Sequence, residues 1–322
     1  MIISELFIES KLNTVNIYTE QIKQEALRLG FDGCGISKAD YLSEESPRLK
    51  EWLEKGYCAD LVYMKNNIDK RLDPGKLFEG AKSVISLIVN YFPMEKQHDR
   101  EAPVLSKFAY GADYHYVLKK RLAGLLDFII KKIPDSNGRI FVDSAPILER
   151  AWAKKSGLGW IGKNNLLINK EFGSFVFIGE VIVNTELKYD EEIGNLCGTC
   201  NKCITACPTG ALVSEYKINA GRCISYYSLA NKTDSIPDEF RNKFKNRVFG
   251  CDICQDVCPW NQKLKASKIN EFKPDPQLLT MSKDDWYNME AEEFNKLFKK
   301  SSVKESKYDG IKRNLEFIKG FK

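Results

Sequence analysis

The sequence predicts an α+β fold with three parts: a mixed α/β domain at residues 1–190, a small cysteine-rich domain at residues 191–265 and a short, basic helical segment at residues 266–322. Helical and strand patterns mix along the first part without the strict alternation that is typical of doubly wound proteins. Regular periodicity fades near Asp190, and eight cysteines follow within the next seventy or so residues. A separate domain therefore begins there.

Helices of the first part are predicted from apolar residues at helical spacing. Residues 114–133 have the clearest pattern, and Pro134 ends it. Further helices are predicted at residues 14–29, 47–55 and 147–155.

Strands of the first part are predicted from short apolar runs. Residues 83–91 are rich in β-branched side chains and form too short a run for a typical helix. Strands are also predicted at residues 31–37 and 139–142, and a long strand or hairpin at residues 174–184.

The composition is that of an ordinary globular protein, with 43% hydrophobic and 29% charged residues. The first residues lack the features of an export signal, and no window approaches 18 uncharged apolar residues. We therefore expect a cytoplasmic protein without membrane association, whose thiols are reduced. A net charge of +5 is too small to indicate nucleic-acid binding, but residues 299–322 alone carry a basic excess of five.

The cysteines follow the spacing of bacterial ferredoxins. CxxCxxCxxxCP covers residues 197–208, Cys223 stands alone, and CxxCxxxCP covers residues 251–259. In ferredoxins three thiolates of one loop bind three irons of a [4Fe-4S] cube, and the fourth cysteine serves the other cluster. The spacing thus predicts two [4Fe-4S] clusters. Their ligand sets are a first tetrad of Cys197, Cys200, Cys203 and Cys258 and a second tetrad of Cys207, Cys223, Cys251 and Cys254.

Structural zinc and buried free thiols are the alternatives to clusters. Zinc sites usually take one or two CxxC pairs rather than a triple with a trailing CP, so the spacing favours clusters. Cys34 and Cys58 fit no ligand spacing and are expected to be buried thiols without a role. Clusters supply electrons but choose no substrate, so the chemistry must lie in the first 190 residues.

Asp143 is a candidate for proton transfer. It follows a predicted apolar strand and precedes SAP, and partial burial of such a loop carboxyl raises its pKa. The alternative is a helix cap for the segment that begins at Pro146. Spacing leaves both interpretations open.

The glycine-rich stretch GLGWIGKNN, residues 157–165, is a candidate binding loop in which Lys163 can meet an anion. It matches neither a Walker A nor a Rossmann fingerprint, and a flexible surface loop is the alternative. His98 and His115 are the only histidines, and a lone histidine is more often a surface or packing residue than a ligand.

Several blocks of the sequence carry a family resemblance. They are YMKNNIDKRLDPGKLFEGAKSVISL, KFAYGADYH, DSAPILERAWAKKSGLGWIGKNNLLIN, GSFVFIGE, CGTCNKCITACPTGAL, CISY and GCDICQDVCPWN. Over residues 18–262, and again near residue 311, the chain resembles the epoxyqueuosine reductases, which complete queuosine at the wobble position of certain tRNAs.

The resemblance implies a cobalamin cofactor that is bound by the N-terminal domain near the clusters, without the DxHxxG motif of other cobalamin proteins. It also implies that Asp143, the aspartate of DSAP, is the proton donor. The residues that it places around the corrin or the substrate are Lys107, His115, Trp160, Lys163, Ser225, Asp252 and Gln255.

The implied reaction removes the epoxide oxygen of epoxyqueuosine and leaves an alkene. Clusters supply electrons one at a time, reduced cobalt delivers them to the epoxide, and Asp143 protonates the departing oxygen. The implied partners are a tRNA that carries epoxyqueuosine in its anticodon stem-loop and an external electron donor such as a flavodoxin or ferredoxin. We expect a monomer.

A tRNA substrate would explain the basic residues, because neutralised phosphates provide salt-dependent affinity. The candidates are those of residues 299–322 and, between the cysteine blocks, Arg241, Lys243, Lys245 and Arg247; a solvated helix face is the alternative. In many family members C-terminal helical repeats touch tRNA. Because IKRNLEF at residues 311–317 resembles only the start of that region, we expect tRNA affinity or choice to differ.

Two rival functions stay open at the level of sequence. A reductive dehalogenase also couples cobalamin to two [4Fe-4S] clusters, but such proteins commonly carry a twin-arginine signal, and DSAPILERAW is not their pattern. A noncatalytic electron carrier would use its N-terminal domain only to dock partners.

Overall fold

The computed structural model describes residues 2–231 and 235–319. Its α-helices are α1 (Ile2–Arg28), α2 (Glu45–Glu54), α3 (Ile68–Leu72), α4 (Tyr114–Lys132), α5 (Glu149–Lys155), α6 (Lys202–Ala206), α7 (Ile253–Asp256), α8 (Pro276–Thr280), α9 (Lys283–Asn288), α10 (Ala291–Leu297) and α11 (Lys307–Ile318). Its strands are β1 (Gly33–Lys38), β2 (Ser83–Asn90), β3 (Val104–Leu105), β4 (Gly138–Phe141), β5 (Trp160–Ile161), β6 (Leu167–Ile168), β7 (Val176–Val183), β8 (Leu212–Ser214), β9 (Lys217–Ile218) and β10 (Arg247–Phe249).

A four-stranded sheet in the order β1-β2-β7-β4 organises the first half of the chain, and all its neighbours are antiparallel. Strands β2 and β7 pair along their whole length, from Ser83 opposite Val183 to Asn90 opposite Val176. Every residue of β2 is buried, because helices cover both faces of the sheet. This explains why β2 is a continuous apolar run instead of an alternating one. The predicted α+β class is confirmed.

The two faces of the sheet have separate apolar cores. Helices α1 and α4 cover one face, where Ile22 of α1 and Leu122 of α4 pack against Val181 of β7. Helix α5 covers the other face through Trp152. Helix α4 begins at the N-cap Asp113, whose side chain accepts a hydrogen bond from the backbone N–H of His115. This cap fixes the start of α4.

The cysteine-rich segment and the C-terminal helices share a core with one piece of the first half. Strand β3 pairs in parallel with β10, and one apolar cluster contains Leu105, Phe244, Trp286 and Ile311. Residues of all three predicted parts therefore contribute to a single core. The division at residues 190 and 265 stays a prediction.

Most predicted elements of the first half are present, with two differences. Helix α1 begins at Ile2 instead of residue 14, because no glycine or proline interrupts the intervening stretch. Residues 174–184 form one strand, β7, and not a hairpin. Among the described residues, no helix combines the length and the apolar character that crossing a bilayer requires.

Candidate functional site

Asp143 lies in the turn between β4 and α5. Its φ of 53° falls in the left-handed region, where aspartate is found more often than most non-glycine residues. The turn is held because the backbone N–H of Asp143 donates a hydrogen bond to Oε1 of Glu149. The N-cap of α5 is Leu148, so the interpretation of Asp143 as a helix cap is wrong.

Two side chains from the start of α4 bind the Asp143 carboxyl. The Tyr114 hydroxyl donates to Oδ2 over 2.6 Å, and Nε2 of His115 lies 3.3 Å from the same oxygen. The other ring nitrogen of His115, Nδ1, lies 2.8 Å from Oδ1 of Asp113. The imidazole therefore bridges two carboxylates.

This bridge decides where the proton resides. Hydrogen bonds to Asp113 and Asp143 raise the pKa of His115 to about 10, so the ring is an imidazolium at neutral pH. The hydrogen bond from His115, together with that from Tyr114, lowers the pKa of Asp143 and outweighs its partial burial. The expectation that burial raises the pKa of Asp143 is therefore wrong. At neutral pH Asp143 is a carboxylate and His115 holds the proton.

Two further carboxyls lie beneath this turn. Burial, with a smaller contribution from the nearby Asp143 charge, raises the pKa of Glu149 to about 8. Glu180, in the middle of β7, is fully buried and, among the described residues, neither of its carboxyl oxygens has a hydrogen-bond partner. Burial raises the pKa of Glu180 well above its ordinary value, and the Glu149 charge adds to the effect. The sequence analysis missed both glutamates, although Glu180 is the only charged residue of the apolar run 174–184.

A row of aromatic rings leads from this turn to the cysteine-rich segment. The Tyr114 ring stacks on Phe177 with 4.4 Å between centroids, and Phe177 contacts Tyr91 at 4.3 Å. The Tyr91 hydroxyl lies 3.4 Å from Nε2 of Gln255, which belongs to α7 and follows Cys254. Contacts are therefore continuous from the carboxyl that Tyr114 binds to the second tetrad.

Lys107 and Asp252 form an ion pair at the α7 end of this row. Asp252 is buried and accepts hydrogen bonds from the Ser106 hydroxyl and from the Lys107 backbone N–H. The Lys107 ammonium lies 3.5 Å from Asp252, 2.6 Å from Asp256 and 5.1 Å from the centroid of the Phe175 ring. The structure thus brings together three predicted site residues, which are Lys107, Asp252 and Gln255.

The glycine-rich loop lies at the first tetrad. The four thiols of that tetrad line one cavity, together with Lys163 and Asn164. Trp160 packs against Cys197 and Cys258, and the Lys163 ammonium binds Glu215 at 2.7 Å. Because Trp160 and Lys163 are only 1% and 4% exposed, the alternative of a flexible surface loop is wrong.

The cysteines of the second tetrad are half-buried. Cys254 is close enough to the other three cysteines of this set for their charges to interact. Burial raises the pKa of Cys223, and raises that of Cys251 to about 12. The Ser225 side chain lies close enough to the Cys223 thiol to oppose the rise of its pKa. The predicted site residues Trp160, Lys163 and Ser225 thus lie beside the cysteines.

The geometry of the tetrads fits [4Fe-4S] clusters better than zinc. All ten cysteines are free thiols. Among the residues that the structure describes, no three cysteine sulfurs lie within 4.8 Å of one another. A tetrahedral zinc site with bonds of about 2.3 Å would bring its sulfurs to about 3.8 Å. Buried thiols with raised pKa values also need a metal to hold them as thiolates. Cys34 and Cys58 lie in neither tetrad and have no assigned role.

The basic C-terminal segment borders the Asp143 turn. The backbone carbonyl of Lys300 accepts a hydrogen bond from the backbone N–H of Asp113, and the Glu305 carboxyl lies within 4.8 Å of the His115 ring nitrogen. Between the cysteine blocks, the guanidinium of Arg241 is engaged by Asp238 and Phe317. Helix α11 buries an apolar face and leaves Lys312 exposed, as a solvated helix face would.

Two family models match the chain. Residues 196–261, which include both cysteine blocks, match the 4Fe-4S double cluster binding domain. Residues 71–144, which end just after the Asp143 turn, match the model described as epoxyqueuosine reductase QueG, DUF1730.

Curated relatives match nearly the whole chain. An epoxyqueuosine reductase of Cellulophaga algicola is 50% identical over 308 residues, which are 96% of this chain and 100% of the relative. That of Escherichia coli is 39% identical over 90% of this chain and 77% of its own length.

Solved structures have the same fold. A selenomethionine-labelled epoxyqueuosine reductase superposes with a TM-score of 0.86 at 32% identity, over 93% of this chain and 80% of its own. Another, solved with an epoxyqueuosine-modified tRNA-Tyr stem loop, has a TM-score of 0.85 at 32% identity and the same coverage. A Bacillus subtilis epoxyqueuosine reductase with its catalytic aspartate loop swung out of the active site has a TM-score of 0.85 at 31% identity, over 93% of this chain and 80% of its own.

Proposed function

The chain belongs to the epoxyqueuosine reductase family, and from that premise we propose that it reduces epoxyqueuosine to queuosine in tRNA. One observation carries the proposal: a continuous line of contacts joins the second tetrad to the charged turn at Asp143. Electrons from the clusters and a proton from that turn then reach the same reaction site. Family membership also sets aside the rival dehalogenase and electron-carrier interpretations.

Electrons enter, in this proposal, at the cluster of the first tetrad. Its four cysteines line an open cavity, through which a donor can approach the cluster. A one-electron donor such as a flavodoxin or ferredoxin therefore docks at the first tetrad. The cluster of the second tetrad, whose Cys254 lies in α7, would relay the electrons to the reaction site beside the Asp143 turn.

Cobalamin is the proposed cofactor between the second cluster and the substrate. When bound, it supplies a cobalt centre that delivers two electrons to the epoxide carbon. Lys107, His115, Asp252 and Gln255 would hold it. Their ammonium, imidazolium, carboxyl and amide groups suit a macrocycle that is rimmed with amides. Trp160, Lys163 and Ser225 act on the clusters in this proposal, because they lie beside the tetrads.

Asp143 and His115 deliver the proton as a pair. The reaction consumes two electrons and two protons, breaks the two carbon–oxygen bonds of the epoxide and releases its oxygen as water. The Asp143 carboxylate takes the proton held on Nε2 of His115 and passes it to the departing oxygen, and the second proton, which completes the water, comes from solvent. Two hydrogen bonds keep the carboxylate in place: one from the Tyr114 hydroxyl to the Asp143 carboxylate, and one from the Asp143 backbone N–H to the Glu149 carboxyl.

The substrate is a tRNA anticodon stem-loop, like the one bound in a solved relative. Lysines of the segment before α11 border the Asp143 turn. They would contact phosphates of the tRNA stem-loop. We place the reaction in the cytoplasm, and a monomer stays the expected state.

Replacing Asp143 by Asn tests this function. We expect Asp143→Asn to keep both clusters and cobalamin, and to lose at least about a hundredfold in turnover, because the amide cannot carry the proton. Asp135→Asn is the matched control, since Asp135 is also an exposed turn aspartate with positive φ. The measurement is nucleoside analysis of epoxyqueuosine tRNA after incubation with reduced enzyme. Full activity of Asp143→Asn would refute the assignment.

A further inference from the structure

Two buried N–H donors lie beside the first tetrad without a partner. Asn164 is 4% exposed and lines the cavity of that tetrad. Its Oδ1 accepts a hydrogen bond from the backbone N–H of Leu166, which anchors the amide. Among the described residues its Nδ2 has no hydrogen-bond acceptor.

Trp160 is the second such donor. Its indole packs against Cys197 and Cys258 and meets the Trp260 ring edge-on, with 4.8 Å between centroids. Within the described part of the chain, its buried Nε1 also lacks an acceptor. Buried polar groups nearly always have a partner. Two unsatisfied donors that flank the same four cysteines indicate an acceptor between them.

We propose that Nδ2 of Asn164 and Nε1 of Trp160 donate hydrogen bonds to sulfur atoms of the cluster held by the first tetrad, and thereby raise its reduction potential. Reduction adds negative charge to the cluster, and N–H donors stabilise that charge. Lys163, which lines the same cavity, has its ammonium bound to Glu215 and Asn201. The two neutral donors therefore set the potential more directly than this lysine does.

The inference goes beyond the proposed function, because it concerns the ease with which the entry cluster accepts an electron and not the substrate. Ser225 follows Cys223 by two residues and therefore lies at the second tetrad instead. Substitutions at Trp160 and Asn164 therefore act on the first cluster, and a substitution at Ser225 acts on the second. Measuring both kinds of variant separates the reduction potentials of the two clusters.

The experiment is a redox titration of the full-length, anaerobically prepared protein with both clusters, followed by electron paramagnetic resonance. Trp160→Phe keeps the ring and removes only the N–H, and Asn164→Leu keeps the size and removes the amide. We expect each variant to shift one cluster midpoint to more negative potential, and the double variant to shift it further. Ser225→Ala shifts the other midpoint. Trp286→Phe is the matched control, because Nε1 of Trp286 is also buried and unpartnered within the described residues but lies in the C-terminal core.

Three outcomes overturn the proposal. The first is that Trp160→Phe and Asn164→Leu leave both midpoints unchanged. The second is that they shift both midpoints equally, or shift the midpoint that Ser225→Ala also moves. The third is that wild-type protein shows no reduced-cluster signal, in which case the two-cluster assignment falls as well. If Asn164→Leu fails to incorporate iron, Trp160→Phe decides alone.

Discussion

At the scale of single residues, the proton of the proposed active site lies on His115 and the negative charge on Asp143. This division follows from geometry, since one imidazole is held between two carboxylates. A carboxylate with a lowered pKa is a weak proton donor by itself. It becomes effective when the adjacent imidazolium supplies the proton as charge develops on the departing oxygen.

The pH dependence of turnover tests this division. In the wild type we expect activity to fall only as His115 loses its proton, near pH 10. In His115→Gln the Asp143 carboxyl must hold the proton alone, so activity is low at neutral pH and rises as the pH falls towards the ordinary aspartate pKa of about 4. The measurement is kcat against pH, with His98→Gln as the control. Identical profiles for His115→Gln and the wild type would contradict the paired delivery.

The same histidine couples stability to pH. Its pKa is raised from 6.5 to about 10 in the folded chain, so the folded state binds the proton more tightly than the unfolded state. The stabilisation is complete below about pH 6.5 and is lost as the pH rises through about 10. His115→Gln should remove this part of the pH dependence of unfolding, and an unchanged dependence would argue against the ion pair with Asp113.

The sequence allowed prediction of those site residues that follow a recognisable spacing or come directly after a strand. The cysteine spacing predicted two sets of four that the structure brings together, and the strand end at Asp143 predicted a carboxyl that projects into a loop. It did not predict the direction of the Asp143 pKa shift, because His115 and Tyr114 reach the carboxyl only through the packing of α4 against the sheet. Spacing along the chain contains no information on that packing.

At the scale of elements, strand β7 contains a buried glutamic acid, Glu180, whose surroundings favour the neutral form. Glu180 pairs with Ser86 across the sheet and lies beneath α5 among apolar side chains. The Glu149 charge opposes ionisation there. Burial of an unpaired charge is costly, so the carboxyl stays protonated.

Glu180→Gln should therefore flatten the alkaline loss of stability. The folded-state pKa of Glu180 is raised above the unfolded value of 4.5, so wild-type stability falls as the pH rises above that value, by at most about 1.4 kcal/mol per pH unit for one proton. Glutamine keeps the shape and removes the titration. Anaerobic chemical unfolding at pH 6 and pH 9 measures the difference, with the exposed Glu186→Gln as the control. An equal loss of stability in Glu180→Gln and the wild type would contradict a neutral, buried Glu180.

Elements with long, uninterrupted patterns were predicted well. Helix α4 and strand β2 match their predicted ranges to within one residue. The start of α1 was missed because no cap residue or helix breaker marks it. The burial of the glycine-rich loop was not predicted. Strands β5 and β6 are buried by packing against cysteines of the first tetrad, which lie far away in the sequence.

At the scale of the whole molecule, the C-terminal segment forms part of the rim of the proposed active site. The backbone of Lys300 is bonded to Asp113, and Glu305 lies beside His115. Helix α11 then returns into the core, where Asn314 is hydrogen-bonded to the backbone carbonyls of Ser228 and Val248. The basic residues of this segment are thus divided between the rim and the far end of α11.

This division predicts which lysines bind tRNA. Lys300 and Lys304 are exposed on the segment that borders Asp143, whereas Lys319 is exposed at the opposite end of α11. We expect Lys300→Gln with Lys304→Gln to weaken binding of the anticodon stem-loop several-fold. The slope of log affinity against log salt should fall by about 0.7 for each single-strand phosphate that the double variant no longer neutralises. Lys319→Gln should change neither the affinity nor the slope.

The measurement is stem-loop binding at several salt concentrations, with the clusters intact in every variant. The substitutions lie outside the Asp143 carboxyl and its bonded partners, so turnover at saturating tRNA should stay close to that of the wild type while KM rises. A loss of kcat without a change in the salt slope would mean that the two lysines maintain the geometry at Asp113 and His115 instead of contacting phosphate. An equal effect of Lys319→Gln would mean that the whole basic segment acts as a diffuse charge, and that the rim has no special part in recognition.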